Sequence, residues 1–231
     1  MLKYSSLYFL VLIIFFNCSS KKEDSYNEEV PLTPIDDHDD TVSFTEFDDL
    51  IEEYEAEDRD KWQHPETILN FLGDLSGKTI ADIGAGTGYF SFKLAKKADT
   101  VYAVEIDKRF LDYIEERKEG LHYGIGQNVI TVLASPSDPG LFPKQMDLIL
   151  LVNTYSYINN RPQYFKKVKR ILKSNGFLCI VDFKEKNTPV GPPNNIKVSV
   201  EKAMAELKKA GFKDFKVDSV SLPYQYILKA S

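Results

Sequence analysis

Thr79-Ile80-Ala81-Asp82-Ile83-Gly84-Ala85-Gly86-Thr87-Gly88-Tyr89 is the stretch on which the fold turns. Thr79 to Ile83 is a short, mostly apolar run with β-branched residues, and it reads as a buried strand. Three glycines at alternate positions then make a turn, and a helix is expected from Phe90 to Lys97. A second strand, Val101-Tyr102-Ala103-Val104-Glu105, follows at once. Farther on, Phe165, Val168 and Leu172 recur with the 3.6-residue period, as do Val200, Ala203, Met204 and Leu207, with Gly211 placed to stop the second of these helices. Apolar strands alternating with amphipathic helices predict an α/β chain, a parallel sheet with helices on both faces. At 231 residues the chain has room for one such domain plus appendages.

Glycine turns of this kind serve two classes of ligand. A dinucleotide turn has Gly-x-Gly-x-x-Gly, which lets the backbone close on a pyrophosphate at a helix N-terminus. Here the order is Gly84-x-Gly86-x-Gly88, Tyr89 stands where the third glycine would fall, and Asp82 would repel phosphates. The same two features suit S-adenosylmethionine, which has no phosphate and carries a cationic sulfonium and amino group. Asp82 can accept from that amino group, and the helix N-terminus can meet the ligand's carboxylate. Glu105, twenty-one residues past Gly84, can accept from both ribose hydroxyls. Asp107 is the weaker ribose candidate, because it should cap the next helix.

At these residues the chain resembles the class I S-adenosylmethionine-dependent methyltransferases, over about Arg59 to Lys229. Asp82-Ile-Gly-Ala-Gly-Thr-Gly-Tyr-Phe90 is similar to their first motif and Val101-Tyr-Ala-Val-Glu-Ile-Asp107 to the second. Ile130 to Ser135 stands at their third strand and adenine-contacting loop, with Ser135 where that family commonly has aspartate. Met146 to Asn153 looks like the fourth strand, Gly176 to Asp182 like the fifth, and Asp214–Ser219 with Tyr224–Lys229 like the closing antiparallel hairpin. The resemblance implies a Rossmann-like, seven-stranded, mostly parallel sheet with a C-terminal antiparallel hairpin. It implies S-adenosyl-L-methionine as cofactor, held by Asp82, Gly84, Ala85, Gly86, Gly88, Tyr89, Glu105, Ile106, Ser135 and Asn153.

On the acceptor side, Asn153-Thr154-Tyr155-Ser156-Tyr157 follows the fourth strand and is expected to face the transferred methyl, with Asn153, Tyr155 and Tyr157 as catalytic-side candidates. Tyr224 and Tyr226 are further pocket candidates, and Trp62 or Gln63 can touch the ligand from a segment folded over it. Val190-Gly191-Pro192-Pro193 is a rim loop rigid enough for a gate. Methyl transfer from a sulfonium is an in-line displacement in which positioning contributes much, and nothing in the sequence demands a general base. The Asn-Pro-Pro-Tyr-like signature of nucleic-acid amino methyltransferases is absent. Lys166, Lys167, Lys169, Arg170 and Lys173 crowd one segment, but no nucleic-acid module accompanies them, so nucleic acid is not the expected partner. Two cysteines and three scattered histidines argue against a disulfide scaffold, a metal site or arsenite methylation, and Cys179 reads as a core residue.

The chain's two parts differ in charge. Residues 19–58 carry sixteen acids and two lysines, −14, while 59–231 carry 26 bases and 19 acids, +7. Before them, Lys3 is followed by the apolar run Leu7–Phe16 and then Cys18. Ten residues give about 15 Å of helix, half a bilayer's hydrocarbon core, so the run reads as a cleavable signal segment rather than a span. A cysteine directly behind it resembles the bacterial lipoprotein signal, which implies lipidation of Cys18 and a cell-envelope membrane anchor. The expected organisation is a signal segment 1–17, an acidic tether 18–42 and a methyltransferase domain 43–231, divided into N-terminal helices (43–78) and a core (79–231). The Asp36-Asp37-His38-Asp39-Asp40 run lacks the glycine turn and closing Glu of a calcium loop. Ser43-Phe-Thr-Glu46 reads as a capping box opening a helix that presents Phe47, Leu50, Ile51 and Tyr54 on one face. Two functions stay open: a lipid-anchored methyltransferase acting on a small or membrane-associated acceptor, and an exported protein of this fold that binds without turnover.

Overall fold

The computed structural model describes residues 40–120 and 126–231. The expected signal segment, Cys18 and the tether up to residue 39 lie outside the described residues. The compact unit runs from Asp40 to Ser231, three residues longer at its start than the expected domain. Its first helix, α1 (Asp40–Tyr54), begins before Ser43, so Ser43 to Glu46 does not form the cap expected of it. The helix starts at Asp40 and continues through Thr41 and Val42. Two short helices follow, α2 (Arg59–Gln63) and α3 (Pro65–Leu72), the second with proline in its first turn, where a missing N–H costs nothing.

Seven strands make one sheet: β1 (Thr79–Ile83), β2 (Thr100–Glu105), β3 (Val129–Leu133), β4 (Met146–Val152), β5 (Leu172–Phe183), β6 (Lys216–Asp218) and β7 (Gln225–Ala230). They lie in the order β3-β2-β1-β4-β5-β7-β6. β1, β2, β3, β4 and β5 pair in parallel, and β7 runs antiparallel to both β5 and β6. This is the Rossmann-like sheet with its reversed C-terminal strand. The connecting helices are α4 (Tyr89–Ala95), α5 (Lys108–Gly120), α6 (Arg161–Ile171) and α7 (Val200–Ala210).

Alternate residues of the central strands enter two separate cores. Ile80, Val101, Leu148, Leu150 and Val181 pack with Ile68 and Leu72 of α3, Phe90 and Leu94 of α4 and Ile114 of α5. Ala81, Ile149, Leu151, Ile180 and Leu228 pack with Phe165 and Val168 of α6 and Ala203 and Leu207 of α7. A sheet covered on both faces explains why its strands read as continuous apolar runs. β5 starts earlier than expected, at Leu172, which lies in this strand and not on the preceding helix. Its pairing shifts between Met146–Leu172 and Leu148–Phe177, where Gly176 comes so close to the Met146 carbonyl that a Cβ would sit 2.8 Å from it. Gly211 closes α7 at φ 96°, its N–H donating to the Leu207 and Lys208 carbonyls. The strand order reverses between β1 and β4, and a crevice beyond the carboxyl ends of such strands is where open α/β sheets take ligands.

Candidate active site

The turn after β1 is tied to the end of β2. The N–H groups of Gly84 and Ala85 both donate to the Val104 carbonyl, at 2.8 and 3.1 Å. The Gly86 N–H donates to Glu105 Oε2 at 3.0 Å, and Glu105 Oε1 accepts from Ile106 N–H at 2.7 Å and Asp107 N–H at 3.3 Å. Gly84 has φ 78°, and a Cβ there would lie 2.3 Å from Thr154 Oγ1, so the turns after β1 and β4 touch across the strand-order reversal. Only glycine meets both conditions. Gly88 is the N-cap of α4. Asp107 is the helix cap the sequence suggested: its Oδ1 accepts from Arg109 N–H at 2.9 Å and its carboxylate pairs with the Arg109 side chain at 2.7 Å. Ile106 beside Glu105 is 56% exposed, a large apolar side chain open at the rim. Ser135 is exposed too, in a turn where its N–H donates to the Asp138 carbonyl at 3.0 Å.

Asp82 is the buried acid of this site. Burial pushes its carboxyl up to about 6, held back by the Ser91 hydroxyl donating at 2.7 Å and by the charge of Arg59; Glu105 adds repulsion. Arg59 was not among the expected ligand contacts. Its half-buried guanidinium lies 3.9 Å from the centroid of the Tyr89 ring and donates from Nη1 to the Tyr54 carbonyl at 2.5 Å, while its Nε is buried without a hydrogen-bond partner among the described residues. Tyr89 carries this cation on its face, and its hydroxyl donates to Asp60. Tyr54 stacks on Phe110 at 5.5 Å and lies over Gly86, whose Cβ, if present, would be 3.2 Å from the ring. Arg117 fastens this arrangement by donating to Glu55 at 2.6 Å and to the Thr87 carbonyl at 3.2 Å. The end of α1 and the start of α2 therefore cover the glycine turn. Sequence reading anticipated the apolar face of α1 but not that Tyr54 would land on Gly86.

Asn153 follows β4 in the left-handed region at φ 58°. Its amide belongs to a ring of three: Asn153 Nδ2 donates to Gln63 Oε1 at 3.2 Å, Gln63 Nε2 to Gln225 Oε1 at 2.6 Å, and Gln225 Nε2 to Asn153 Oδ1. Gln63 and Gln225 are fully buried. The side-chain carbonyl of Asn153, a catalytic-side candidate, is thus already engaged by Gln225. Gln63 comes to the site as expected, but as a partner of Asn153.

Tyr155 corrects another expectation. It is fully buried, donates to Glu206 on α7 at 2.7 Å, and packs 5.1 Å from Phe165, so it anchors the turn after β4 to the opposite core instead of facing an acceptor. Packing a residue with an apolar body inward is the cheaper outcome once its hydroxyl has a carboxylate partner. Tyr226 is likewise buried, Tyr224 is half-buried, and Tyr157, 60% exposed, reaches the surface beside the site. Trp62 stands 5.8 Å from Phe183, and Gly191 of the rim loop lies against the same Phe183 ring. Cys179 is buried, which pushes its thiol up to about 12. Among the described residues no group of three or more His, Cys, Asp or Glu side chains is placed to hold a metal ion.

Residues 81–180 match the family described as the methyltransferase domain. The matched stretch includes Asp82, the glycine turn, Glu105 and Asn153, whereas Tyr54, Arg59 and Gln63 lie before it and Gln225 after it. A curated relative, phosphoethanolamine N-methyltransferase 3 of Arabidopsis thaliana, is 33% identical over 127 residues, 53% of this chain and 25% of the relative. The chain therefore spans about a quarter of that relative's length. Among solved structures, a SAM-dependent methyltransferase from Aquifex aeolicus superposes with a TM-score of 0.72 at 24% identity, over 80% of this chain and 96% of that one. A putative type 11 methyltransferase from Sulfolobus solfataricus gives 0.59 at 27% identity, over 72% and 90%.

Proposed function

We propose that this chain is an S-adenosylmethionine-dependent methyltransferase acting on a small-molecule or membrane-associated acceptor, from a domain held at a bacterial cell-envelope membrane by a lipid on Cys18. The observation that carries the cofactor is the closure of Glu105 over the Gly86 N–H beside a buried Asp82. The site fits the group: the turn presents no side chain at Gly84 or Gly86, a carboxylate waits at the end of β2, and a buried Arg59 Nε lacks a partner among the described residues. Asp82 holds the ligand's amino group, Glu105 its ribose hydroxyls, Ile106 the edge of its base, and Ser135 lies beyond β3 on that side.

S-Adenosylmethionine, when bound, supplies a methyl group made electrophilic by a sulfonium. What the chain contributes is orientation and exclusion of water. Tyr54 covers the glycine turn, the amide ring fixes Asn153 at the end of β4, and Trp62, packed near the buried Phe183 ring, and Tyr157 offer aromatic surface where an acceptor enters. Held reactants gain most of the advantage available to a displacement of this kind. The plant relative's named acceptor, phosphoethanolamine, supports a small-molecule acceptor.

Titration calorimetry of the full chain with S-adenosylhomocysteine, and separately with NAD, tests the cofactor. Heat with the adenosyl ligand and none with NAD is expected; the reverse overturns the reading. A screen for transfer of labelled methyl to lipids, phenols, amines and small phosphorylated amines then identifies the acceptor class.

A further inference from the structure

Three cations lie around the start of α4. Arg117 is paired with Glu55 at 2.6 Å and Lys93 with Asp60 at 3.5 Å. Arg59 has no carboxylate within 4.0 Å among the described residues, although it is half-buried. One of its amino groups caps the Tyr54 carbonyl and its face is taken up by Tyr89, which leaves the buried Nε without an acceptor among the described residues. A buried donor left unpaired is costly, and an unpaired guanidinium costs more than a neutral group. Such a cost is retained where a ligand repays it. The neighbouring charges say what ligand: Asp82 and Arg59 act on each other electrostatically across the glycine turn, and α4 itself is seven residues long with no side-chain cap. A carboxylate and a guanidinium near enough to feel each other's charge match an amino-acid zwitterion, the amino group to Asp82 and the carboxylate to Arg59.

Resting on the reading above that the ligand is S-adenosylmethionine, we propose that Arg59 grips the carboxylate of its methionyl part through the Nε edge of the guanidinium. The fork of an arginine suits a carboxylate, and charge-assisted hydrogen bonds are the stronger kind. Tyr89 serves as the platform that fixes the fork's plane, and the Tyr54 carbonyl fixes its rotation. This gives α2 a part in recognition and makes the cover over the turn a component of the binding site.

The test compares two ligands on the full chain by calorimetry: S-adenosylhomocysteine, and its decarboxylated analogue S-adenosyl-3-thiopropylamine, which keeps the amine. Arg59→Met should weaken S-adenosylhomocysteine about 10- to 100-fold and the analogue by less than about twofold. An equal loss for both ligands, the result of a merely structural arginine, overturns the proposal, as does no loss for either. Arg59→Lys is read in the same way should Arg59→Met not fold; it keeps a charge but no fork, and is expected to weaken S-adenosylhomocysteine alone by roughly 3- to 10-fold. A wild-type protein that binds neither ligand sinks the cofactor reading itself, a different failure from a variant that leaves the two affinities in proportion.

Discussion

Asp82 shows how far one residue's surroundings set the behaviour of the site. Its carboxyl is raised from 3.8 to about 6, first by burial, with the charge of Glu105 on β2 adding to it and Ser91 on α4 and Arg59 on α2 opposing it. A raised acid binds more protons folded than unfolded between those values, so this group's contribution to stability falls as pH rises from about 4 to about 6. A cationic amino group beside it favours the ionised form. Affinity for S-adenosylhomocysteine should therefore be full above pH 6 and fall as pH drops below it, approaching tenfold per unit. Calorimetry between pH 5 and 7 checks this, with Asp82→Asn expected to bind weakly and with a flat profile. A wild-type affinity independent of pH over that range would place the amino group elsewhere.

At the scale of elements, the amide ring joins α2, the end of β4 and the start of β7. Its members stand 90, 72 and 162 positions apart, and each amide satisfies the next. Gln63→Leu would leave Asn153 Nδ2 and Gln225 Oε1 without partners in a buried place, which costs about 1–3 kcal/mol. Urea unfolding should show that loss, and amide exchange in α2 should speed up while exchange in β5 stays as it is at equal stability. A loss under about 0.5 kcal/mol would mean that water or a shift of the neighbours takes over the lost bonds. The strands were legible because their own residues decide them: β1 occupies Thr79–Ile83 as read, since both its faces are buried and any such apolar run shows. The glycine turn, Glu105 and the Asp107 cap were legible for the same local reason. The ring was not, because a lone Gln63 or Gln225 has no pattern until the fold brings them together. The inward turn of Tyr155 was hidden as well, for its partner Glu206 lies 51 positions away on α7. Arg59 carried no local signal either; its meaning comes from Tyr89 and Tyr54, contributed by other elements.

For the whole molecule, the question is what would hold this domain at a membrane behind its acidic leader. The run Leu7–Phe16 is too short to cross, so if the chain is membrane-held the attachment must come from elsewhere, and Cys18 is the residue placed for it. Twenty-one residues separate Cys18 from Asp40, where α1 begins, enough chain to reach at most about 75 Å. That length would let the site face away from or toward the bilayer without strain on α1, whose far end covers the glycine turn. Stable attachment takes more than one acyl chain, as a lipidated N-terminal cysteine of the bacterial type would supply. Cys18→Ser should accordingly shift the protein from the membrane to the soluble fraction or leave it as an uncleaved precursor, with cofactor affinity unchanged, because the site lies wholly within residues 54–225. Labelling with a radioactive fatty acid and weighing the mature protein decide the matter. A variant that stays on the membrane and still takes up the label would show that the anchor is not Cys18, and the leader would then have to act as a hydrophobic anchor despite its ten-residue length.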